Sequence, residues 1–489
     1  MSLSPSTADS STVPQQSADT QHNFTLDVVG GLALLGLLVV SVWEFGGFTA
    51  NQQLYYQTGT HGGNFKLLTT ISMLFDGKML SLLAMVFGAG IILFVQKKEH
   101  PVEISAADAH IRRMMWLMGF GVINAFLLVW PGDILFQFGV LGILLFAFTR
   151  MKSRGFFIAA IVCTFIYCGK QYWYYSDDKN VYKKYTAIKV VEDKFKADST
   201  IRAKKDSTDR TKDTVLLKDT LLRNKLNDSL AKKNDTLTSQ QQEDKGNWEG
   251  TVKRNKYDAG AAKENNKTMQ ARNWKKIAYA SMQKTQQKES YWLYRIGIWD
   301  IGSMMFLGMA LMSIGYFSPR FSSSKYLVVG LLALIAGTLL AWYRIHYQSL
   351  KLADYAVYIK EHSIPFNQFL PIEKLLMALG YASLVLWFLR MSVFGWIWKA
   401  AAAVGRLALT NYIIQTVVCT LFFYGYGFGY FGRLKQWELY FFVAELAMVQ
   451  IVFSVMWLRY FTMGPVEWLL RTLVYRKRLP IKRVPGAEF

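Results

Sequence analysis

The sequence predicts an all-α fold: a polytopic membrane helix bundle of about ten transmembrane helices, and three observations lead there. Hydrophobic residues make up 52% of the 489 and charged residues only 18%, below the quarter or so usual in soluble domains. Apolar runs of about 20 residues, the length that crosses a bilayer, recur along the chain. The mean hydropathy of +0.16 averages these runs with one long charged block and a short polar N-terminus. A net charge of +22 would suggest nucleic acid in a soluble chain. Here it reads as topogenic Lys and Arg, so the partner is membrane lipid and no nucleic acid is expected.

Residues 1–25 read as a disordered tail, because Met1 to His22 contain no Lys or Arg and so lack the charged region that opens a signal peptide. The N-terminal membrane half, residues 26–175, holds five predicted helices at Leu26–Phe48, Lys78–Val95, Met114–Trp130, Ile134–Thr149 and Phe156–Tyr174. Asn64 to Asp76 is apolar but broken by Thr, Ser and Asp, which predicts an interfacial or re-entrant helix leading into the second span. The C-terminal half, residues 291–475, holds five more at Ile296–Ile314, Tyr326–Tyr343, Phe369–Leu389, Leu407–Tyr424 and Leu439–Leu458. Residues 476–489 form a basic tail.

Basic residues follow every even helix: Lys97, Lys98, Arg112 and Arg113 the second, Arg150, Lys152 and Arg154 the fourth, Arg320 and Lys325 the sixth, Arg390 and Lys399 the eighth. Arg476, Lys477, Arg478, Lys482 and Arg483 follow the tenth. Short basic loops stay on the cytoplasmic side, so both termini are expected there. Residues 176–290 then fall outside as one long extracytoplasmic insertion, with 27 basic and 17 acidic residues, +10 of the total +22. Leu217, Leu221, Leu222, Leu226 and Leu230 give it some helical period. It reads as a partly helical solvated spacer or as an arm for a protein or envelope partner.

Three cysteines, Cys163, Cys168 and Cys419, lie within apolar runs, and neither a disulfide framework nor a metal site is predicted. HExxH, Walker A, GxSxG and a GxGxxG between strand and helix are all missing, which argues against the common soluble enzyme classes. Charges near spans are costly and so informative. On the predicted outer side stand Glu44, Asp76, Lys78, Asp133 in a Pro-Gly-Asp turn, Asp300, Arg344, His346, Glu373 and Lys374, with His61 in the loop beside them. A histidine beside carboxylates is a proton-transfer pair; the alternative is snorkelling charges that pair with one another. Asn411 and Gln415, four apart, share a helix face and bond either a neighbouring helix or a ligand.

Residues Ala401 to Tyr475 resemble the bacterial YeiB-like membrane family, characterised by the DUF418 domain: Gly405–Gln415 reads GRLALTNYIIQ, Leu421–Gly429 LFFYGYGFG and Gly464–Arg471 GPVEWLLR. The N-terminal half resembles it through Leu26-Asp27, Lys78 with LLAMVFGAG at Leu82–Gly90, Arg112-Arg113, and WPGDIL at Trp130–Leu135; the charged insertion does not match. The family is similar in membrane architecture to heparan-alpha-glucosaminide N-acetyltransferase and related acyltransferases. The resemblance implies acyl transfer from a cytoplasmic donor, acetyl-CoA or another acyl-CoA, to an envelope glycan or lipid, with no tightly bound cofactor. It implies His61 as general base, Asp133 or Asp300 orienting it, and Arg406, Arg112 and Arg113 at the donor phosphates. Asp27, Lys78, Asn411, Gln415, Glu373 and Glu467 join them as candidate binding residues, and a homodimer is one expected assembly. Two departures stand out: Gly30 and Gly31 fill places where the family carries Arg, and Asn124 stands where it has His. Losing a cation and an imidazole keeps open a proton-coupled transporter or flippase, or a non-catalytic component that docks partners through 176–290.

Overall fold

A computed structural model describes residues 16–58, 62–96, 105–209, 237–318, 321–391 and 393–482. Among them all regular structure is helical, with one isolated bridge between Phe461 and Lys482. The helices are α1 (Gln16–Phe45), α2 (Thr49–Thr58), α3 (Gly63–Leu74), α4 (Lys78–Gln96), α5 (Ala106–Val122), α6 (Leu135–Phe146) and α7 (Ser153–Asp209). The insertion adds α8 (Ser239–Arg254), α9 (Ala259–Met269) and α10 (Trp274–Gln286). Then follow α11 (Ile298–Ser313), α12 (Ser323–Ala353), α13 (Tyr355–Glu361), α14 (Leu370–Arg390), α15 (Gly395–Arg406), α16 (Ala408–Phe423), α17 (Gln436–Tyr460) and α18 (Pro465–Tyr475).

Each of the ten predicted segments contains a helix. Seven helical stretches among the described residues are long and apolar enough to cross a membrane, and the pair α15–α16, bent by 79°, makes an eighth if it counts as one span. The chain is therefore a multi-pass membrane protein. The third and fourth predicted spans are the short ones: α5 loosens into a π-wound turn at Ile123–Leu127 and α6 has only 12 residues. The turn joining them is drawn into the protein, with Asp133 1% exposed, so the pair meets inside the bundle. Two boundaries move: α1 begins at Gln16, inside the predicted tail, and α3 runs on into α4 as one apolar stretch, Gly63–Val95, broken only at Phe75–Gly77.

Glycines set the closest helix crossings. A Cβ on Gly88 would land on the Met305 carbonyl and one on Gly308 on that of Met85, so α4 and α11 touch backbone to backbone. Gly31 and Gly405 do the same for α1 and α15, against Ala401 and Asp27. Lipid chains are as apolar as leucine, so in a membrane such close van der Waals contact drives association where the hydrophobic effect does not.

The insertion is built onto the bundle. α7 passes unbroken through the predicted boundary at 176 and its 57 residues reach about 85 Å. α8, opened by a Thr238–Gln241 capping box, lies back along it. There Trp248 stacks on Tyr355 at 5.9 Å and meets Tyr182 at 4.8 Å, around a small core of Tyr175, Tyr358 and Ile359. The end of α9 docks on the aromatic turn after α16: Gly425 N–H donates to the Met269 carbonyl at 2.8 Å and Gln270 Nε2 to that of Phe431 at 2.6 Å. Leu217 to Leu230 lie outside the described residues.

Candidate functional site

The break between α3 and α4 leaves helix-end carbonyls without intrahelical donors, and cations supply them. Lys78 Nζ donates to the Ser72 carbonyl at 2.9 Å and Arg344 Nη2 to the same oxygen at 3.2 Å. The Tyr381 hydroxyl donates to the Leu74 carbonyl at 2.6 Å. Glu373, from the first turn of α14, balances both cations: Lys78 Nζ lies 2.6 Å from its Oε1 and Arg344 Nε 2.9 Å from its Oε2. Lys78 and Glu373 are 0% exposed, so the carboxylate exchanges water for three protein donors, the condition under which a buried ion pair is tolerated. Next to it Lys374 passes Gly77, where a Cβ would sit 2.6 Å from its Cε, and reaches Asp300 Oδ2 at 2.7 Å. Asp300 Oδ1 is buried with no partner.

A second polar centre forms at the α5–α6 turn. Asp133 Oδ1 accepts from Asn124 Nδ2 at 2.7 Å and from the Tyr412 hydroxyl at 3.3 Å, and Oδ2 accepts from the Phe136 N–H at 2.9 Å. The π-wound turn is what aims Asn124 inward, and after it Val129 takes φ +59°, a left-handed conformation unfavourable for a β-branched residue. The turn lies outside the spanning helices; burial raises the Asp133 carboxyl to about 6 against the pull of its hydrogen bonds from Phe136 and Asn124. Around it are buried polar atoms without partners: Asn124 Oδ1, both amide atoms of Gln137 and Oε1 of Glu289. Glu289 enters from the π-wound stretch Gln287–Gly297 ahead of α11, which packs on α6. Trp130 stacks on Phe45 at 3.5 Å and walls the centre.

Asn411 and Gln415 turn to α17. Gln415 Nε2 donates to Gln450 Oε1 at 2.9 Å, Gln450 Nε2 to the Asn411 carbonyl at 2.8 Å, and Asn411 Nδ2 to Ser454 Oγ at 2.9 Å. These amide contacts join α16 to α17, and Asn411 Oδ1 stays buried without a partner. Glu467 clamps the start of α16, accepting from the Thr410 N–H at 2.9 Å and from its hydroxyl. At the same end of the bundle Asp27 lies within electrostatic reach of the exposed Arg406. Arg112 and Arg113 are half-buried on α5, Arg113 stacked 5.5 Å from the Phe94 ring centroid.

The candidates thus divide among three places. Lys78, Glu373 and Asp300 share the charge network, Asp133 stands apart beside Tyr412, and Asp27, Arg406, Arg112, Arg113 and Glu467 lie towards the opposite end. His61, Lys97, Lys98, Arg320 and Arg483 lie outside the described residues, and Glu44 is exposed. Sequence reasoning missed Gln137, Tyr412, Glu289 and the carbonyl of Ser72. Gln137 carries a usable signal, as the lone polar side chain in the helix LFQFGVLGILLF.

Comparison with known proteins bears on the family. The model of the protein family of unknown function DUF418 matches residues 311–477. The chain is 38% identical over 190 residues to the uncharacterized protein YeiB of Escherichia coli (strain K12), covering 37% of this chain and 46% of that one. So it spans about half the length of that relative. It is 23% identical over 473 residues to the uncharacterized protein YxaH of Bacillus subtilis (strain 168), covering 94% of this chain and 95% of the other. An uncharacterized 39.9 kDa protein from the amylase 3' region of Bacillus acidopullulyticus is 34% identical over 101 residues, 21% of this chain and 29% of that one. No solved structure matches. Residues 311–477 of this all-helical membrane bundle thus match the DUF418 family model, and the chain is similar to the YeiB and YxaH proteins.

Proposed function

We propose that this protein moves an acyl group from an acyl-CoA to a hydroxyl or amine of an envelope glycan or lipid, with Asp133 as the general base. The observation that supports the reading is the Asp133 centre itself: a carboxylate held by Asn124, Tyr412 and the Phe136 N–H, amid buried amide and carboxyl atoms of Asn124, Gln137 and Glu289 that have no protein partner. Buried polar groups without partners cost free energy, and an acceptor rich in hydroxyls or amines satisfies them. In the proposed step Asp133 takes the proton from the acceptor, whose oxygen or nitrogen bonds to the thioester carbonyl carbon. The carbon–sulfur bond then breaks, and the departing thiolate receives the proton from Asp133. His61, to which the resemblance assigns the base, lies outside the described residues. In this proposal Arg406, Arg112 and Arg113 face the cytoplasmic donor and the insertion lies outside the bacterial inner membrane.

The test is thiol release from acetyl-CoA by protein in nanodiscs, offered lipid and oligosaccharide acceptors, with Asp133→Asn and Gln137→Leu beside wild type. Acceptor-dependent release that Asp133→Asn lowers at least about a hundredfold supports the reading; equal release in both proteins overturns it. A second reading, proton-coupled transport, is favoured by the buried chain Lys374–Asp300 with its unpartnered Oδ1. It predicts flux in proteoliposomes that needs a proton gradient and Asp300, with no thioester consumed.

A further inference from the structure

The acyl-transfer proposal places Arg113 towards the donor but makes no use of Arg471, of Tyr475 or of the contact between α5 and the amphipathic helix α18. Leu470, Val474 and Tyr475 of α18 pack on Ala109 of α5, with Phe94 and Phe120 completing the cluster. Two guanidinium groups border this contact. Arg113 leaves α5 one turn after Ala109 and lies over Phe94; Arg471 follows Leu470 on α18 and is exposed. Their charges act on each other, and the Tyr475 hydroxyl acts on Arg113 from the same helix. No carboxylate among the described residues forms an ion pair with either arginine. Glu467, the nearest acid along α18, is held by Thr410. One turn before Arg113, His110 is 0% exposed between Phe94 and Phe146, its Nε2 on the Gly142 carbonyl at 3.0 Å and its Nδ1 without a partner.

Two like charges held together by helix packing, with no acid between them, are repulsive unless an anion joins them, and guanidinium forks suit tetrahedral oxyanions. We propose that Arg113 and Arg471, with the Tyr475 hydroxyl, form a phosphate-binding site at the α5–α18 contact. The ligand class follows from the surroundings: a phosphate monoester or diester attached to an apolar or extended body, with Leu469 exposed two residues before Arg471 on the same helix. Two sources share that chemistry, an anionic lipid headgroup and a free nucleotide-type phosphate such as that of a CoA. The CoA source rests on the acyl-transfer proposal and the lipid source does not, and the two ligand pairs below tell them apart.

The experiment uses full-length protein in detergent and reads binding by isothermal titration and retained ligand by native mass spectrometry. Phosphatidic acid is compared with diacylglycerol of the same chains, and CoA with pantetheine, so each pair differs in its phosphates. Arg471→Gln, Arg113→Gln and the double variant are measured beside Arg433→Gln, an exposed arginine elsewhere on the molecule. The expected result is phosphate-dependent binding in at least one pair, weakened about tenfold by each site variant and unchanged in Arg433→Gln. Binding in the lipid pair alone keeps the site and removes any donor role; binding in the CoA pair alone makes it a donor site. Affinity that ignores the phosphate in both pairs, or that Arg471→Gln leaves intact, overturns the proposal. Because Arg471 is exposed, its variant keeps the test valid should Arg113→Gln fail to fold.

Discussion

Glu373→Ala is the sharpest probe of the buried charge network. Glu373 is the sole carboxylate within ion-pair distance of both Lys78 and Arg344 among the described residues, at 2.6 and 2.9 Å. Truncation leaves two buried cations without that carboxylate. Removing one partner of a single buried pair costs about 3–5 kcal/mol, and with two cations stranded the upper end, about 5 kcal/mol, is expected here. At about 2 °C per kcal/mol for a chain of this size, the melting midpoint in detergent falls by about 10 °C. Lys78→Met is the internal control. It leaves Glu373 bonded twice to Arg344, at 2.9 and 3.2 Å, and the Ser72 carbonyl still bonded to Arg344 Nη2. It removes two bonds of Lys78 but leaves neither acceptor without a donor, so its cost is only about 1.5–3 kcal/mol. Fluorescence-detected thermal unfolding of the purified variants reads the order directly. A Glu373→Ala midpoint within about 2 °C of wild type, or one above that of Lys78→Met, would refute the assignment of Glu373 as the hub.

Three further outcomes follow from the geometry. Gly88→Ala and Gly308→Ala each force α4 and α11 apart and cost about 1–3 kcal/mol, read as loss of monodisperse protein on size exclusion, while Gly90→Ala, with nothing within 4 Å of its added Cβ, leaves yield unchanged. If Asp133 is the base, acyl transfer falls as pH drops below about 6, because the raised carboxyl is then protonated, and levels off above it; a flat profile from pH 5 to 8 in a rate limited by chemistry removes Asp133 from that role. Trp248→Ala empties the aromatic cluster joining α8 to α7 and α13 and loosens it by about 3–5 kcal/mol, so trypsin cuts faster at Lys253 and Arg254 while the melting midpoint of the bundle stays put.

The helix positions were legible in the sequence because a bilayer imposes a length and an apolar composition on each span, and both are local properties of the chain. The resemblance to the DUF418 domain was legible for the same kind of reason: Gly405–Gln415, Leu421–Gly429 and Gly464–Arg471 are contiguous words. The insertion was only partly so. Its charge announced a departure from the membrane, but Trp248 needs Tyr355 and Tyr182, far away in sequence, to become a core.

Partnership among polar groups was decided by the tertiary structure alone. Lys78, Arg344 and Glu373 look in sequence like three separate snorkelling charges; only the packing of α4, α12 and α14 around the α3–α4 break brings the two cations to one carbonyl and the carboxylate to both cations. Asp133 and Tyr412 meet across the fold for the same reason. A hydropathy period says which residues are inside, whereas which buried donor finds which acceptor depends on helix rotation and crossing. In this protein glycines set the crossings, at Gly31–Gly405 and Gly88–Gly308, by permitting a backbone approach that no side chain would allow.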